Sequence, residues 1–316
     1  MDKFLIVTAD DFGLHEAVNE AVEKAARAGA LTAASLMVSA PAAADAVRRA
    51  RMLPRLRVGL HLTLADGQAE LLPEAIPHLV DGSGRFGGRG GPRGLAHEGF
   101  RWFARPAVRR ELAAEIRAQF RAFEGTGLLL DHVNAHKHLH LHPTVLGLIL
   151  EIGREFGMRA VRLPSEPLWF AARYGAIRRG TRAAAGVPIS SALAAAGLAP
   201  WLALMRSRLD AAGLRYNAQV FGVAASGTMD EAALLAILER LPQGATEIYL
   251  HPATHSGETI APSMAGYRHA DELAALLSPR VATAIALCGA ERGGFLDLAV
   301  RGKLFPRGGP NRGSFS

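Results

Sequence analysis

The chain has 316 residues, 49% of them hydrophobic, enough for one barrel-sized core or two smaller ones. Its single cysteine, Cys288, excludes an intrachain disulfide and a cysteine-based zinc cluster. The net charge of +7 is concentrated: residues 85–110 and 168–217 each hold seven Arg against one acidic residue, leaving the remainder at about −5. These arginines lie among Ala, Leu, Trp and Phe with no nucleic-acid motif, which points away from nucleic acid and toward an anionic lipid surface.

Taken in chain order, residues 3–9 are an apolar run that reads as a buried strand and delivers Asp10 and Asp11 at its end. The same N-terminus lacks a basic region and a cleavage signal, so it reads as a strand and the protein as cytoplasmic or on the inner face of a membrane. Apolar residues at helical spacing predict a helix over 14–28, capped by Gly29. A strand over 33–39, a helix over 41–53 and a strand over 56–63 ending near His61 follow. The Gly-, Pro- and Arg-rich stretch 66–100 reads as a long functional loop. A helix over 106–124 leads to a strand carrying five histidines in eleven residues, His132, His136, His138, His140 and His142. In a strand, the last four would share one face. Pro143 then opens a helix over 143–156, followed by a strand over 159–163.

Residues 168–215 break the rhythm. Ala183 to Met205 carries no charge, but Gly186, Pro188, Gly197 and Pro200 interrupt it. It reads as helices that lie on a membrane with Trp201 at the interface, or as a lid or homodimer element. Strand 218–223, helix 230–240, strand 246–251, a helix near 269–277 and a short strand over 281–287 follow, then a disordered basic tail over 301–316. The alternation predicts an α/β fold: a distorted (β/α) barrel of about seven parallel strands in one domain over 1–300, with a helical insertion over 168–215.

In such barrels the chemistry sits at the C-terminal strand ends. Asp10, Asp11, His61, the histidine run and His251 all fall there. Adjacent carboxylates repel unless a cation lies nearby; against this, Asp11 is also well placed to cap the following helix. A lone His61 in an apolar strand is more often a core residue than a ligand, but the company of Asp-Asp and His-x-His-x-His reverses those odds. One carboxylate and two imidazoles make an open three-point metal site. A histidine outside that set, His251, has the chemistry to protonate a leaving amine. The combination suits hydrolysis of an amide or ester.

The motifs TADDFGL at 8–14, VGLHLTL at 58–64, HVNAHKHLHLHP at 132–143 and IYLHPA at 248–253 resemble the YdjC-like (ChbG-like) carbohydrate deacetylase family. Three further phrases, ASLMVSAPAAADAVRRAR, HLVDGSGRF and HVNAHKHLHLHPTVL, are similar to its hopanoid-biosynthesis-associated, HpnK-like branch. The resemblance implies metal-dependent N-deacetylation of an N-acetylated amino sugar, and for this branch an N-acetylglucosaminyl hopanoid. It implies Asp11, His61 and His136 as metal ligands, Asp10 as base and His251 as acid. His138, His140 and Asn134 would line the pocket or stand behind the ligands, while His132 and His142 read as structural. Zn or Mg leads as the divalent ion, with Mn, Co and Ni also compatible. Many members carry Asp-Ser before the first histidine of the cluster; this chain has the uncharged Asn134-Ala135, which alters the electrostatics behind the ligands. Two alternatives stay open: a deacetylase for soluble chito-oligosaccharides, and a non-catalytic metal-binding scaffold at a lipid surface.

Overall fold

The computed structural model describes residues 3–86, 99, 101–170, 174, 189–254 and 260–300. The tail, much of the long loop and the first part of the insertion lie outside the described residues.

Strand β1 (Lys3–Phe12) is followed by α1 (Glu16–Ala28), β2 (Ala33–Leu36), α2 (Ala43–Arg51) and β3 (Arg57–Leu62). Then come α3 (Pro106–Gly125), β4 (Leu130–Ala135), a 3-10 segment (His136–Leu141) and α4 (Pro143–Ile152). The second half holds α5 (Ile189–Ala211), β5 (Gln219–Phe221), α6 (Glu231–Glu239), β6 (Gly244–Leu250) and a 3-10 turn (Pro262–Met264). It ends with α7 (His269–Leu277), α8 (Pro279–Leu287), β7 (Glu291–Arg292) and α9 (Phe295–Val300).

Among the described residues, seven strands pair in the order β4-β3-β2-β1-β6-β5, with β7 against the start of β1, and each of these pairs is parallel. The sheet curls, and residues 159–165 join its two edges. Val133 bridges Val161 and Ala160 bridges Arg215, while Val220 N–H donates to Ser165 O at 3.0 Å. The sequence-predicted strand at 159–163 is therefore this closing seam. The barrel of about seven parallel strands expected from the alternation is present.

Alternation along β1 sorts its residues. Leu5, Val7 and Ala9 face outward into the main core beneath the helices, where Val18 and Val22 of α1 are also buried. Each such valine contributes roughly 1.5–3 kcal/mol. Phe4 and Ile6 face inward and meet Ala33, Ala160, Ala245, Phe295 and Leu298, so the short α9 plugs the base of the barrel. Above that floor the interior turns polar.

Several local expectations are corrected. Residues 281–287 form a helix, not a strand: Ser278 Oγ accepts from the N–H groups of Arg280 and Val281, and Pro279 opens the first turn. The cap of α1 is His15, whose Nδ1 accepts from Ala17 N–H at 3.0 Å, so Asp11 is free of capping duty. The histidine run is not a strand. β4 ends at Ala135, and Lys137 and His138 take left-handed backbone angles, φ 55 and 54, so the four histidines do not alternate on one face. In the insertion, no described helix is long and apolar enough to cross a membrane. Trp201 donates its indole N–H to Leu141 O at 2.7 Å and ties α5 to the histidine turn.

Candidate metal centre

Strict alternation would send Asp10 inward and Asp11 outward. A bulge in the β1–β2 register between Ala9 and Phe12, together with φ 63 at Asp11, turns both carboxylates to the barrel mouth. Asp11 Oδ1 lies 3.2 Å from His61 Nε2 and 3.0 Å from His136 Nδ1. One donor atom from each of these three buried residues falls within 4.8 Å of the others, so the group can hold a single metal ion. Asp11 Oδ2 is buried without a hydrogen-bond partner among the described residues, and His251 Nε2 stands 4.0 Å from it.

The electrostatics fit a cation. Asp10, Asp11 and Glu247 are buried anions, and Arg162 is the buried cation among them, which leaves a formal −2. Burial disfavours a charged His61, but the Asp10 and Asp11 carboxylates outweigh it and raise its pKa. The site therefore draws positive charge, and a divalent ion bound by neutral imidazoles would supply it.

Asp10 is gripped by Arg162, with Nη1 to Oδ2 at 2.5 Å and Nη2 to Oδ1 at 3.0 Å. The same guanidinium reaches Glu247 with Nε at 2.9 Å and Nη2 at 2.7 Å, and lies 4.6 Å from the Tyr249 ring centroid. Burial opposes ionisation of Asp10, yet Arg162 holds its carboxyl well below the usual carboxylate range. Sequence reasoning missed Arg162. The sequence shows only that a partner is needed: Arg162 is the second arginine of the otherwise apolar RAVRL, and a cation in a buried strand needs carboxylates, but nothing near it in the chain says which.

His251 follows β6, and its backbone is fixed by two residues of α7. Glu272 accepts its N–H, and His269 Nδ1 meets its carbonyl. Burial lowers the His251 pKa to about 4, so the ring is neutral at pH 7. His138 faces Tyr249 Oη through Nε2 at 2.9 Å, and burial lowers its pKa to about 3. His140 is fully buried behind His138, and neither ring nitrogen has a partner among the described residues. His142 leaves the site: its Nδ1 caps α4 at Thr144 N–H, 3.3 Å away, and its ring packs edge-on against Trp102.

All four non-glycine residues with positive φ among the described residues, Asp11, Asp66, Lys137 and His138, surround this mouth. Such angles cost on the order of 1–3 kcal/mol each and persist where the surroundings hold them. Lys137 pairs with Asp66 across the rim.

Asp10, His61, His136, His138 and His251 open onto a pocket of about 110 Å³ whose far wall carries Tyr267. That is smaller than the roughly 300–1,000 Å³ of sites that enclose a whole ligand, so it takes only a small group. A larger cavity of about 750 Å³ lies near the barrel base among Phe120, Phe123, Phe156 and Leu129. None of the metal-centre residues lines it, so size alone would point to the wrong place.

Fold and donor set together define a parallel barrel with a carboxylate–imidazole centre at its strand ends. A sequence model of the YdjC-like protein family matches residues 4–287, and the chain belongs to that family. A carbohydrate deacetylase of Brevibacillus brevis is 39% identical over 160 residues, 51% of this chain and 59% of that protein. One from Geobacillus stearothermophilus is 34% identical over 184 residues, 55% of this chain and 69% of that protein. The chain thus matches little more than half of the first of these relatives and about two thirds of the second. Among solved structures, an Enterococcus faecalis V583 protein provisionally named for cellobiose-phosphate cleavage has a TM-score of 0.68 at 23% identity. It covers 94% of this chain and 99% of its own, a likeness of fold.

Proposed function

We propose that the protein is a metal-dependent deacetylase of an N-acetylated amino sugar. The observation that carries this reading is the buried Asp11–His61–His136 group with a second carboxylate, Asp10, beside it and His251 across from it. The curated relatives named carbohydrate deacetylase support it. Asp11, His61 and His136 would hold one divalent ion, Zn or Mg first, which when bound supplies a Lewis acid at the amide carbonyl.

The chain's own residues do the rest. Asp10, ionised and locked in orientation by Arg162, accepts a proton from the water that attacks the acetyl carbon. The proton taken by Asp10 is returned through His251, a neutral imidazole at rest, to the sugar nitrogen as the C–N bond breaks. Acetate and the free amine are the products. General acid–base help of this kind is worth about 10²–10⁴-fold each. His138 and Tyr249 form one wall of the acetamide pocket, and His140 and Asn134 stand behind the rings that line it.

The finer reading is an N-acetylglucosaminyl hopanoid substrate, supported by the sequence phrases shared with the hopanoid-associated branch. Such a glycolipid requires contact with a lipid surface, and the insertion over 168–215 is the segment we assign to it. Met205 and Leu209 of α5 are buried against the body, whereas Leu204 is 52% exposed. Leu204→Glu is therefore expected to weaken binding to anionic liposomes while the metal centre stays intact; unchanged binding removes the membrane assignment. The substrate is tested by acetate release from the hopanoid glycoside and from diacetylchitobiose, each with and without chelator. Release from the glycolipid alone supports the hopanoid reading. Release from the soluble sugar alone transfers the reading to chito-oligosaccharides, and release from neither ends it.

A further inference from the structure

A single file of buried side chains runs from the base of the barrel to the metal centre. Asp131 accepts the N–H groups of Phe295 and Leu296, at 3.0 and 2.9 Å, where α9 begins. Its carboxylate lies 2.8 Å from His132 Nδ1, and His132 Nε2 lies 3.0 Å from Ser35 Oγ. Ser35 Oγ is 3.0 Å from Asn134 Nδ2, which is also 3.1 Å from Asp10 Oδ1. Asn134 Oδ1 then meets His61 Nδ1 at 2.7 Å. Each of these side chains is at most 2% exposed. The file needs room: a Cβ on Gly59 would stand 2.5 Å from the His132 ring, so β3 carries no side chain there.

Donor and acceptor inventories give every link one polarity. Asp10, an ionised carboxylate in the grip of Arg162, only accepts, so the Asn134 group facing it is the NH₂. The amide oxygen therefore faces His61, whose Nδ1 must carry the hydrogen, leaving the Nε2 lone pair aimed at Asp11. From the other end, Asp131 accepts from His132 Nδ1–H. His132 Nε2 accepts from Ser35 O–H, and the Ser35 oxygen accepts the second Asn134 N–H. The orientation that Asp10 demands of Asn134 is the one that a His132 ring with Nδ1–H toward Asp131 and a bare Nε2 accepts through Ser35.

We propose that Asp131, His132, Ser35 and Asn134 form a positioning relay that fixes His61 in its Nδ1–H tautomer, with Nε2 presented as a ready-made donor to a divalent cation. The relay makes Asn134 a positioning residue that acts through His61, and it gives His132 a role apart from its neighbours in the histidine run. The inference rests on the reading of Asp11, His61 and His136 as a metal centre.

The test compares wild type, Asn134→Leu, Asn134→Asp and Ser35→Ala. Affinity for Zn is measured by competition with a chromophoric chelator. The His61 tautomer is read from ring nitrogen NMR shifts of the metal-free protein at alkaline pH, where the ring is neutral. Asn134→Leu removes the acceptor and is expected to lower affinity about 10–100-fold, as loss of a partner behind a metal ligand does, and to mix the tautomers. Asn134→Asp keeps an acceptor for Nδ1–H but loses the donors that face Asp10 and Ser35, so it is expected to restore the tautomer, with an affinity between that of wild type and Asn134→Leu. Ser35→Ala, two links from the ring, falls between wild type and Asn134→Leu. Wild-type affinity and an unmixed tautomer in Asn134→Leu overturn the relay. So does an Asn134→Asp variant whose tautomers are mixed as in Asn134→Leu, because it keeps the acceptor for Nδ1–H. If Asn134→Leu does not fold, Asn134→Asp and Ser35→Ala decide by the same two readouts. Failure of wild type to bind Zn or any other divalent ion overturns the metal reading instead, and the tautomer measurement still judges the relay.

Discussion

Along β1, Phe4 and Ile6 point into an apolar floor, whereas Thr8 and Asp10, further along the same inward face, meet Glu247 and Arg162. One pleated face thus serves two regimes. The floor contributes burial and asks only for volume. The mouth carries buried charge whose partners must all be present, because an ion left unpaired in that interior keeps a desolvation cost that repacking does not relieve. The difference teaches that stability and chemistry are separated by height within the barrel, and that the relay through His132 is the described polar link between the two levels.

The largest effect should come from Asp11→Ala. It removes the oxygen that both imidazoles face, so metal affinity is expected to fall by more than the roughly 100-fold that loss of an outer partner causes. Calorimetric titration checks this, and acetate release should vanish with it. Next is Arg162→Met, which strands Asp10 and Glu247 without their cation. A loss of about 3–5 kcal/mol in denaturant unfolding is expected, with Arg162→Lys recovering part of it. Equal stability of the wild type and the Met variant would remove the distinction between mouth and floor.

At the floor, Phe4→Ala should cost about 3–5 kcal/mol through the cavity it leaves, while the Zn affinity of the folded protein stays at the wild-type value. A matching fall in affinity would show that the two levels are not separate. The smallest effect, of opposite sign, belongs to His140→Leu. Both nitrogens of that ring are buried without partners among the described residues, so an apolar replacement of similar volume should leave the thermal midpoint unchanged or raise it. A clear fall in the midpoint would mean that the ring has a partner.

Much of this was legible in the chain. Apolar runs alternating with helical spacing reveal the parallel barrel, and Asp-Asp, His61 and His251 at run ends mark the mouth. Three features were not legible. The histidine run has the period of a strand, yet left-handed angles at Lys137 and His138 fold it into a 3-10 turn, so His136 reaches Asp11 while His142 departs to cap α4. Alternation would separate Asp10 from Asp11; a bulge brings them together, and a bulge has no local signature in TADDFG. Arg162 is read correctly only with its partners Asp10 and Glu247, which lie 152 and 85 residues away along the chain.

The most direct test of the central claim is the Asp10→Asn variant, measured for Zn affinity and for acetate release from an N-acetylated amino sugar. The account predicts near-wild-type affinity, because Asp11, His61 and His136 remain, with a loss of release of about 10²–10⁴-fold. Release at the wild-type rate with metal bound would contradict it, and would leave the centre as a metal scaffold without the base that the geometry of Asp10 describes.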